Sequence, residues 1–177
     1  SVISTDITIL EKCDKYILPG VGAFDAGMSQ LTEKGLVDFV KKAATIDKKP
    51  ILGICLGMQL LGRRSEEGKL EGLGLIPFET VRFQLENTNL KIPHMGWDIV
   101  DFKKNNPLVK NLEGKQRYYF VHSFHAKCDF EENILTCDYG YKFAAAVCKN
   151  NVIGVQFHPE KSHDFGMALL KNFVEEF

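Results

Sequence analysis

The stretch Pro50-Ile-Leu-Gly-Ile-Cys55-Leu-Gly-Met-Gln59 gives the strongest indication of fold in this sequence. Its apolar start predicts a buried strand over 50–54, and residues 55–61 predict a turn that enters a helix. Glycines on both sides of Cys55 make this the cysteine form of a nucleophile elbow, a sharp strand-to-helix turn. Such a turn presents its side chain at the carboxyl end of a sheet, so Cys55 is the candidate nucleophile. The alternative is a small buried cysteine inside a strand.

The elements around this stretch alternate as in an open α/β sheet. A short strand at 16–18 ends at Pro19-Gly20, and apolar residues at helical spacing predict one helix over 25–44. Further strands are predicted at 80–85, 117–121, 134–139, 143–148 and 152–157. Asn150-Asn151 is predicted as the hairpin turn between the last two of these strands. An amphipathic helix at 164–177 is predicted to end the fold. We therefore predict an α/β fold over residues 1–177, with an open, mixed, mostly parallel sheet flanked by helices.

Composition restricts the function. The chain has 177 residues, a length typical of one domain, and its net charge of -1 without a basic block argues against nucleic-acid binding. Its apolar runs are too short to span a membrane. Five cysteines at irregular spacings argue against a disulfide framework and predict a reducing, cytoplasmic location. No CxxC pair is present, so a structural zinc site is not expected. The sequence gives no sign of any other metal or of an organic cofactor.

A candidate general base lies near the end of the chain. A strand at 154–157 runs into His158-Pro159-Glu160. Histidine acts as a base near neutral pH, and a carboxylate on its other ring nitrogen fixes its tautomer. Pro159 stops the strand and holds His158 in an extended conformation. A solvent-facing polar strand end is the alternative, but together with the Cys55 elbow the pattern favours thiol-based acyl transfer, with the Leu56 N–H as an oxyanion donor.

The chain resembles the class I (triad-type) glutamine amidotransferases, which have a flavodoxin-like α/β fold. Within that family it is most similar to glutaminases that serve imidazole glycerol phosphate synthase. Seven motifs spread over nearly the whole chain carry the resemblance: Leu18-Pro-Gly-Val-Gly-Ala-Phe24, the Cys55 elbow, Ser65-Glu-Glu-Gly68, Gly72-Leu-Gly-Leu-Ile76, Pro93-His-Met-Gly-Trp97, Tyr119-Phe-Val-His-Ser123 and Gln156-Phe-His-Pro-Glu-Lys-Ser162.

The resemblance implies a catalytic triad of Cys55, His158 and Glu160. Cys55 attacks the side-chain amide of glutamine, His158 passes a proton to the leaving ammonia, and water hydrolyses the γ-glutamyl thioester. The oxyanion hole is expected to combine Leu56 with the backbone of Gly20, Val21 and Gly22. The expected substrate contacts are Gly53, Gln59, Ser123 and Phe124.

The resemblance also implies a partner, a (βα)₈-barrel cyclase subunit that forms a heterodimer with this chain. The cyclase uses the ammonia to make imidazole glycerol phosphate and aminoimidazole carboxamide ribonucleotide in histidine biosynthesis. Interface contacts are expected from His94, Met95, Trp97 and Lys161, although Trp97 is also compatible with a simple core aromatic. The isolated chain is expected to show low glutaminase activity that rises when the partner holds its ligand, with Pro19–Gly22 as the switching segment.

Three features depart from the family pattern. A strand and helix usually precede the region of Ser1–Ile3, Asp98 stands where Asn is expected, and Phe124 where Tyr is common. These departures leave alternatives: a paralogue that supplies ammonia for sugar amidation in surface glycan synthesis, or a non-catalytic relative. Glutaminases of anthranilate or guanylate synthase are a further alternative, but they usually carry Pro-Gly-Gly where this chain has Pro-Gly-Val-Gly, which argues against them. A free-standing γ-glutamyl hydrolase does not account for the motif at 94–97.

Overall fold

The structure, a computed structural model, describes residues 1–86, 89–128 and 131–177. The helices are α1 (Ile7–Leu10), α2 (Phe24–Glu33), α3 (Leu36–Thr45), α4 (Leu56–Leu60) and α5 (His163–Glu176). The strands are β1 (Tyr16–Gly20), β2 (Ile51–Cys55), β3 (Arg64–Ser65), β4 (Glu79–Arg82), β5 (His94–Phe102), β6 (Gln116–His122), β7 (Phe124–Lys127), β8 (Asn133–Asp138), β9 (Lys142–Lys149) and β10 (Val152–Val155). Within the described ranges, no helix is long and apolar enough to cross a membrane.

All ten strands belong to one mixed sheet. Its main path runs β1-β2-β10-β9-β7-β4-β3, while β5 joins β6 to β8 and β8 joins β9. The ladders β1–β2, β2–β10 and β3–β4 are parallel, and the other described ladders are antiparallel. The mixed α/β sheet is thus confirmed, but the expected predominance of parallel pairs is wrong, because hairpin-like neighbours such as β5–β6 and β9–β10 pair antiparallel. The parallel part positions the elbow, since β2 lies between β1 and β10.

Helices cover both faces of the sheet. Leu169 and Phe173 of α5 pack into one core with Leu52 and Ile54 of β2. The neighbouring strand residue Ile51 instead packs with α2, α3 and α4 in a second core. Successive strand residues point to opposite faces, so β2 contributes to both cores and is buried along its whole length.

Several element predictions are confirmed with small shifts, and others are corrected. The hairpin turn at Asn150-Asn151 is confirmed, with Asn150 at a φ of +55°. The single helix predicted over 25–44 is instead α2 and α3, because Gly35 takes a left-handed conformation (φ +66°) between them. The predicted strand at 152–157 ends at Val155, and the one at 80–85 ends at Arg82. Strand β5 was not predicted.

Candidate active site

Cys55 occupies a strained strand-to-helix turn. It ends β2 and has a φ of +53° and a ψ of -110°, a region that residues other than glycine rarely adopt. The glycines of the elbow are required by close backbone approach. A Cβ on Gly57 would lie 1.8 Å from the Leu18 carbonyl oxygen, and one on Gly53 would lie 2.7 Å from the Gly57 carbonyl carbon. The predicted elbow is therefore present, and Gly53 packs beneath it; a contact of Gly53 with substrate stays a prediction.

The surroundings of Cys55 hold its sulfur as a thiol. Burial raises the pKa of the Cys55 thiol to about 11, although the Leu56 N–H directed at the sulfur acts in the opposite direction. The Gln156 side-chain amide also donates to Cys55 Sγ over 3.8 Å and lowers the pKa. At neutral pH the free protein thus carries a protonated Cys55, and a nearby base must remove that proton before the sulfur becomes nucleophilic.

His158, the predicted general base, lies at the end of the neighbouring strand. It follows β10, the strand beside β2, and its Nδ1 lies 2.7 Å from Glu160 Oε1. A carboxylate only accepts, so Nδ1 carries the proton and a neutral ring presents a lone pair at Nε2. His158 Nε2 is buried and has no hydrogen-bond partner in the described part of the chain. A ring nitrogen left free in this way is available to an incoming group.

The backbone of His158 is held by strand β6. The His158 N–H donates to the Tyr119 carbonyl oxygen (2.9 Å), and the Ser162 hydroxyl donates to the His158 carbonyl oxygen (2.6 Å). The same hydroxyl accepts the Tyr119 N–H at 3.0 Å. Gly166 of α5 packs so closely on this turn that a Cβ would lie 1.8 Å from the Pro159 carbonyl oxygen. The base is therefore fixed from two sides.

The predicted oxyanion segment lies beside the elbow. Gly20 is the register partner of Cys55 in the parallel β1–β2 ladder. Val21 then leaves the sheet with 79% of its surface exposed, and Gly22 has a φ of +98°. The segment is thus next to the nucleophile and lightly packed; its role as an oxyanion donor stays a prediction.

Gln59 and Gln156 form a buried pair next to Cys55. Gln59 Nε2 donates to Gln156 Oε1 (3.1 Å) and to the Phe124 carbonyl oxygen (3.3 Å). The side chain of Gln59 therefore reaches the segment predicted to hold glutamine, but through hydrogen bonds within the protein. Sequence reasoning assigned no role to Gln156. The pairing of β10 with β2 brings the Gln156 amide to the Cys55 sulfur. In the sequence, the one indication that Gln156 belongs to the site was its position two residues before His158.

The predicted substrate segment Ser123-Phe124 is held by its own backbone. The Ser123 carbonyl oxygen accepts the Phe83 N–H at 3.1 Å, and the Phe124 carbonyl oxygen lies 2.7 Å from His122 Nδ1. Burial lowers the pKa of His122 to about 3, so its ring is neutral and Nδ1 is the donor. The Phe124 carbonyl oxygen thus accepts hydrogen bonds from both His122 Nδ1 and Gln59 Nε2.

A sequence model of the glutamine amidotransferase class-I family matches residues 3–177. The chain belongs to this family. It is 51% identical over 177 residues to imidazole glycerol phosphate synthase subunit HisH 2 of Methanococcus maripaludis, covering 99% of this chain and 87% of that one. It is also 51% identical over 167 residues to subunit HisH 2 of Pseudomonas aeruginosa, covering 94% of this chain and 82% of that one.

Solved structures agree on the fold. A crystal structure of a glutamine amidotransferase superposes with a TM-score of 0.71 at 18% identity, covering 97% of this chain and 85% of that one. The glutaminase domain of Trypanosoma brucei CTPS, which holds acivicin, superposes with a TM-score of 0.62 at 16% identity, covering 96% of this chain and 74% of that one. At these identities the likeness supports the amidotransferase fold alone.

The interface residues predicted for this amidotransferase divide into buried and exposed ones. The side chain of His94 is 1% exposed, which corrects its assignment as a contact residue, because a partner cannot reach it. Met95 is 62% exposed, and Lys161 is exposed and lies over the Tyr119 ring at 5.9 Å. Trp97 is half-buried and stacks on His163 at 5.4 Å, so it is not a core aromatic. Whether these residues contact a partner stays a prediction.

Proposed function

We propose that this amidotransferase is the glutaminase subunit of an imidazole glycerol phosphate synthase and releases ammonia from glutamine with Cys55, His158 and Glu160. The supporting observation is the buried Nε2 of His158, which has no hydrogen-bond partner among the described residues, on a ring that Glu160 orients at 2.7 Å and that directly follows the strand paired with β2. Identities of about 51% to two subunits of that synthase support the pathway. The elbow, the base and its carboxylate match the parts of a nucleophilic acyl-transfer site.

The reaction follows from these positions. His158 Nε2 takes the proton from Cys55 Sγ as the sulfur bonds to the side-chain amide carbon of glutamine. The Leu56 N–H and a backbone N–H of Gly20–Gly22 stabilise the oxyanion. The C–N bond then breaks, the nitrogen takes the proton from His158, and ammonia leaves a γ-glutamyl thioester. Water, deprotonated by His158, hydrolyses the thioester to glutamate and restores the Cys55 thiol.

The partner in this proposal is a (βα)₈-barrel cyclase that accepts the ammonia to make imidazole glycerol phosphate and aminoimidazole carboxamide ribonucleotide. An ungated glutaminase would consume glutamine without an acceptor. We therefore infer that the lightly packed segment Pro19–Gly22 has two arrangements, and that the loaded cyclase favours the one that completes the oxyanion hole.

The test measures glutamate release by wild type and by Cys55→Ala, each with and without the cyclase and its nucleotide ligand. Cys148→Ala, at a half-buried cysteine of β9, is the matched control and is expected to behave as wild type. We expect low basal release, a rise with the loaded cyclase, and no release by Cys55→Ala.

Two outcomes would revise the proposal. Release that depends on Cys55 but never responds to the cyclase would retain the chemistry and reject the partner. That result would favour the paralogue that supplies ammonia for sugar amidation. The departure from the family pattern at Asp98, where Asn is expected, points to the same alternative. Release that persists in Cys55→Ala would reject the nucleophile itself.

A further inference from the structure

A cluster of three possible metal ligands lies outside the machinery described above. One ligand atom each of His94, Asp98 and Cys137 lies within 4.8 Å of the other two, and His94 Nε2 is 2.8 Å from Asp98 Oδ2. His94 and Asp98 belong to β5, and Cys137 belongs to β8, where it lies directly opposite Val100. His94, Asp98 and Val100 alternate onto one face of β5, and Gly96 between the first two has no side chain to separate them. Residues on two strands thus converge on one point.

A chain of hydrogen bonds from the Phe124 carbonyl through His122 determines which nitrogen of His94 carries the proton. The Phe124 carbonyl oxygen only accepts, so His122 Nδ1 donates to it at 2.7 Å. A neutral His122 then accepts at Nε2, and His94 Nδ1 must be the donor across the 3.0 Å contact between them. A neutral His94 with its proton on Nδ1 presents a lone pair at Nε2. That lone pair faces Asp98 Oδ2 at 2.8 Å, where the carboxylate is also an acceptor.

Two acceptors at this separation require a positive species between them. His94 is buried, and burial disfavours a charged imidazole ring as that species. The cluster is thus an electronegative position with one imidazole lone pair, one carboxylate and one sulfur.

We propose that His94 Nε2, Asp98 Oδ2 and Cys137 Sγ bind a divalent transition-metal ion, with Zn²⁺ as the best match. Imidazole, carboxylate and thiolate are the ligand types of protein zinc sites, and three such ligands leave a fourth position for water. The Asp98 side chain is 41% exposed, which gives the ion and the water access. Binding removes the proton of the Cys137 thiol to solvent and forms a Zn–S bond, without any redox change.

The surroundings match those of a histidine metal ligand. Such a ligand usually donates its other ring N–H to a fixed acceptor, as His94 Nδ1 does to His122 Nε2. Its ring is held between Tyr139 and Phe120, with centroids at 4.0 and 4.7 Å. The ion would therefore be joined through His94 and His122 to the Phe124 carbonyl, and it would fasten β5 to β8.

The first experiment strips the purified protein with a chelator, returns Zn²⁺ by equilibrium dialysis and measures metal per chain by mass spectrometry. We expect one zinc per chain in wild type. Cys137→Ala and Asp98→Asn should each weaken binding by at least about tenfold, the loss that even an outer partner of a ligand causes. Asp98→Asn is the safer variant for folding, because that side chain is partly exposed.

Two controls exclude other thiols. Cys55→Ala and Cys148→Ala should keep the zinc, because neither cysteine belongs to the cluster. A second measurement needs no variant: cobalt(II) added to the stripped wild-type protein should give a near-ultraviolet sulfur-to-metal charge-transfer band. Any of three results would overturn the proposal: wild type binds no zinc, zinc is lost in Cys55→Ala but kept in Cys137→Ala, or the cobalt protein lacks that band. The contact between His94 and Asp98 would then be a shared proton.

Discussion

At the residue scale, one side-chain amide contributes to the state of the Cys55 thiol. Gln156 is fully buried, donates to Cys55 Sγ and lowers the pKa of a thiol that burial has raised to about 11. Gln156→Leu keeps the approximate volume and removes the donor, so the pKa of Cys55 should rise further. Alkylation of Cys55 by iodoacetamide, followed against pH, should shift to higher pH and be slower at every pH below the midpoint.

The matched control is Gln116→Leu. Gln116 is also buried, but it donates only to the nearby Glu113 carbonyl oxygen. Its alkylation profile should overlay that of wild type. An unchanged profile in Gln156→Leu would show that this amide does not act on the sulfur.

At the scale of an element, the elbow depends on a glycine more than on its apolar strand. Gly57→Ala places a Cβ against the Leu18 carbonyl oxygen, an atom of a paired strand that cannot rotate away. Overpacking against backbone should cost about 3 kcal/mol in the free energy of unfolding. The urea midpoint measures this loss. Gly27→Ala in α2 is the control, because its Cβ meets only movable leucine side chains at 3.1–3.3 Å and alanine favours a helix.

Strand β7 carries a histidine that should make stability depend on pH. Burial lowers the pKa of His125, whose Nε2 lies 2.7 Å from the Tyr141 hydroxyl. The unfolded chain binds a proton at this residue as pH falls through about 6.5, whereas the folded chain binds it only at lower pH, so the stabilisation is complete above that pH and is lost as pH falls.

The urea midpoint should therefore decrease from about pH 7 to pH 5, and less steeply in His125→Gln. His163→Gln, at an exposed histidine, should keep the wild-type slope. Equal slopes in wild type and His125→Gln would contradict the assignment.

At the scale of the whole molecule, the patch around Tyr119 is the candidate docking surface. Arg117 lies over the Trp97 ring at 5.2 Å, and Lys161 lies over Tyr119. Half-buried aromatics with neighbouring cations are typical of interface hot spots. Trp97→Ala should weaken binding to the cyclase by about 2 kcal/mol, measured by calorimetry, while basal glutaminase activity stays unchanged. Phe102→Ala, at a 40%-exposed aromatic on the far end of β5, should bind as wild type.

The sequence predicted what depends on local rules. The glycine frame around Cys55 and the His158-Pro159-Glu160 run each fix their own backbone, so the elbow and the oriented base were accessible without a structure. The role of Gln156 and the cluster of His94 with Cys137 were not, because they depend on ladders between strands far apart in the chain. Strand β5 escaped prediction because Gly96, with a φ of +144°, interrupts the alternation of apolar and polar residues.

The hydrogen bonds that join Tyr119 to His158 give the molecule a short mechanical linkage. The ring of Tyr119 belongs to the exposed patch, while its N–H and carbonyl oxygen hold the turn that carries the base. The Tyr119 carbonyl oxygen accepts directly from the His158 N–H, and the Tyr119 N–H reaches the same turn through the Ser162 hydroxyl. A protein bound to the patch would therefore contact the residue whose backbone holds the turn of the imidazole, so recognition at the surface and the placement of the base share one strand residue.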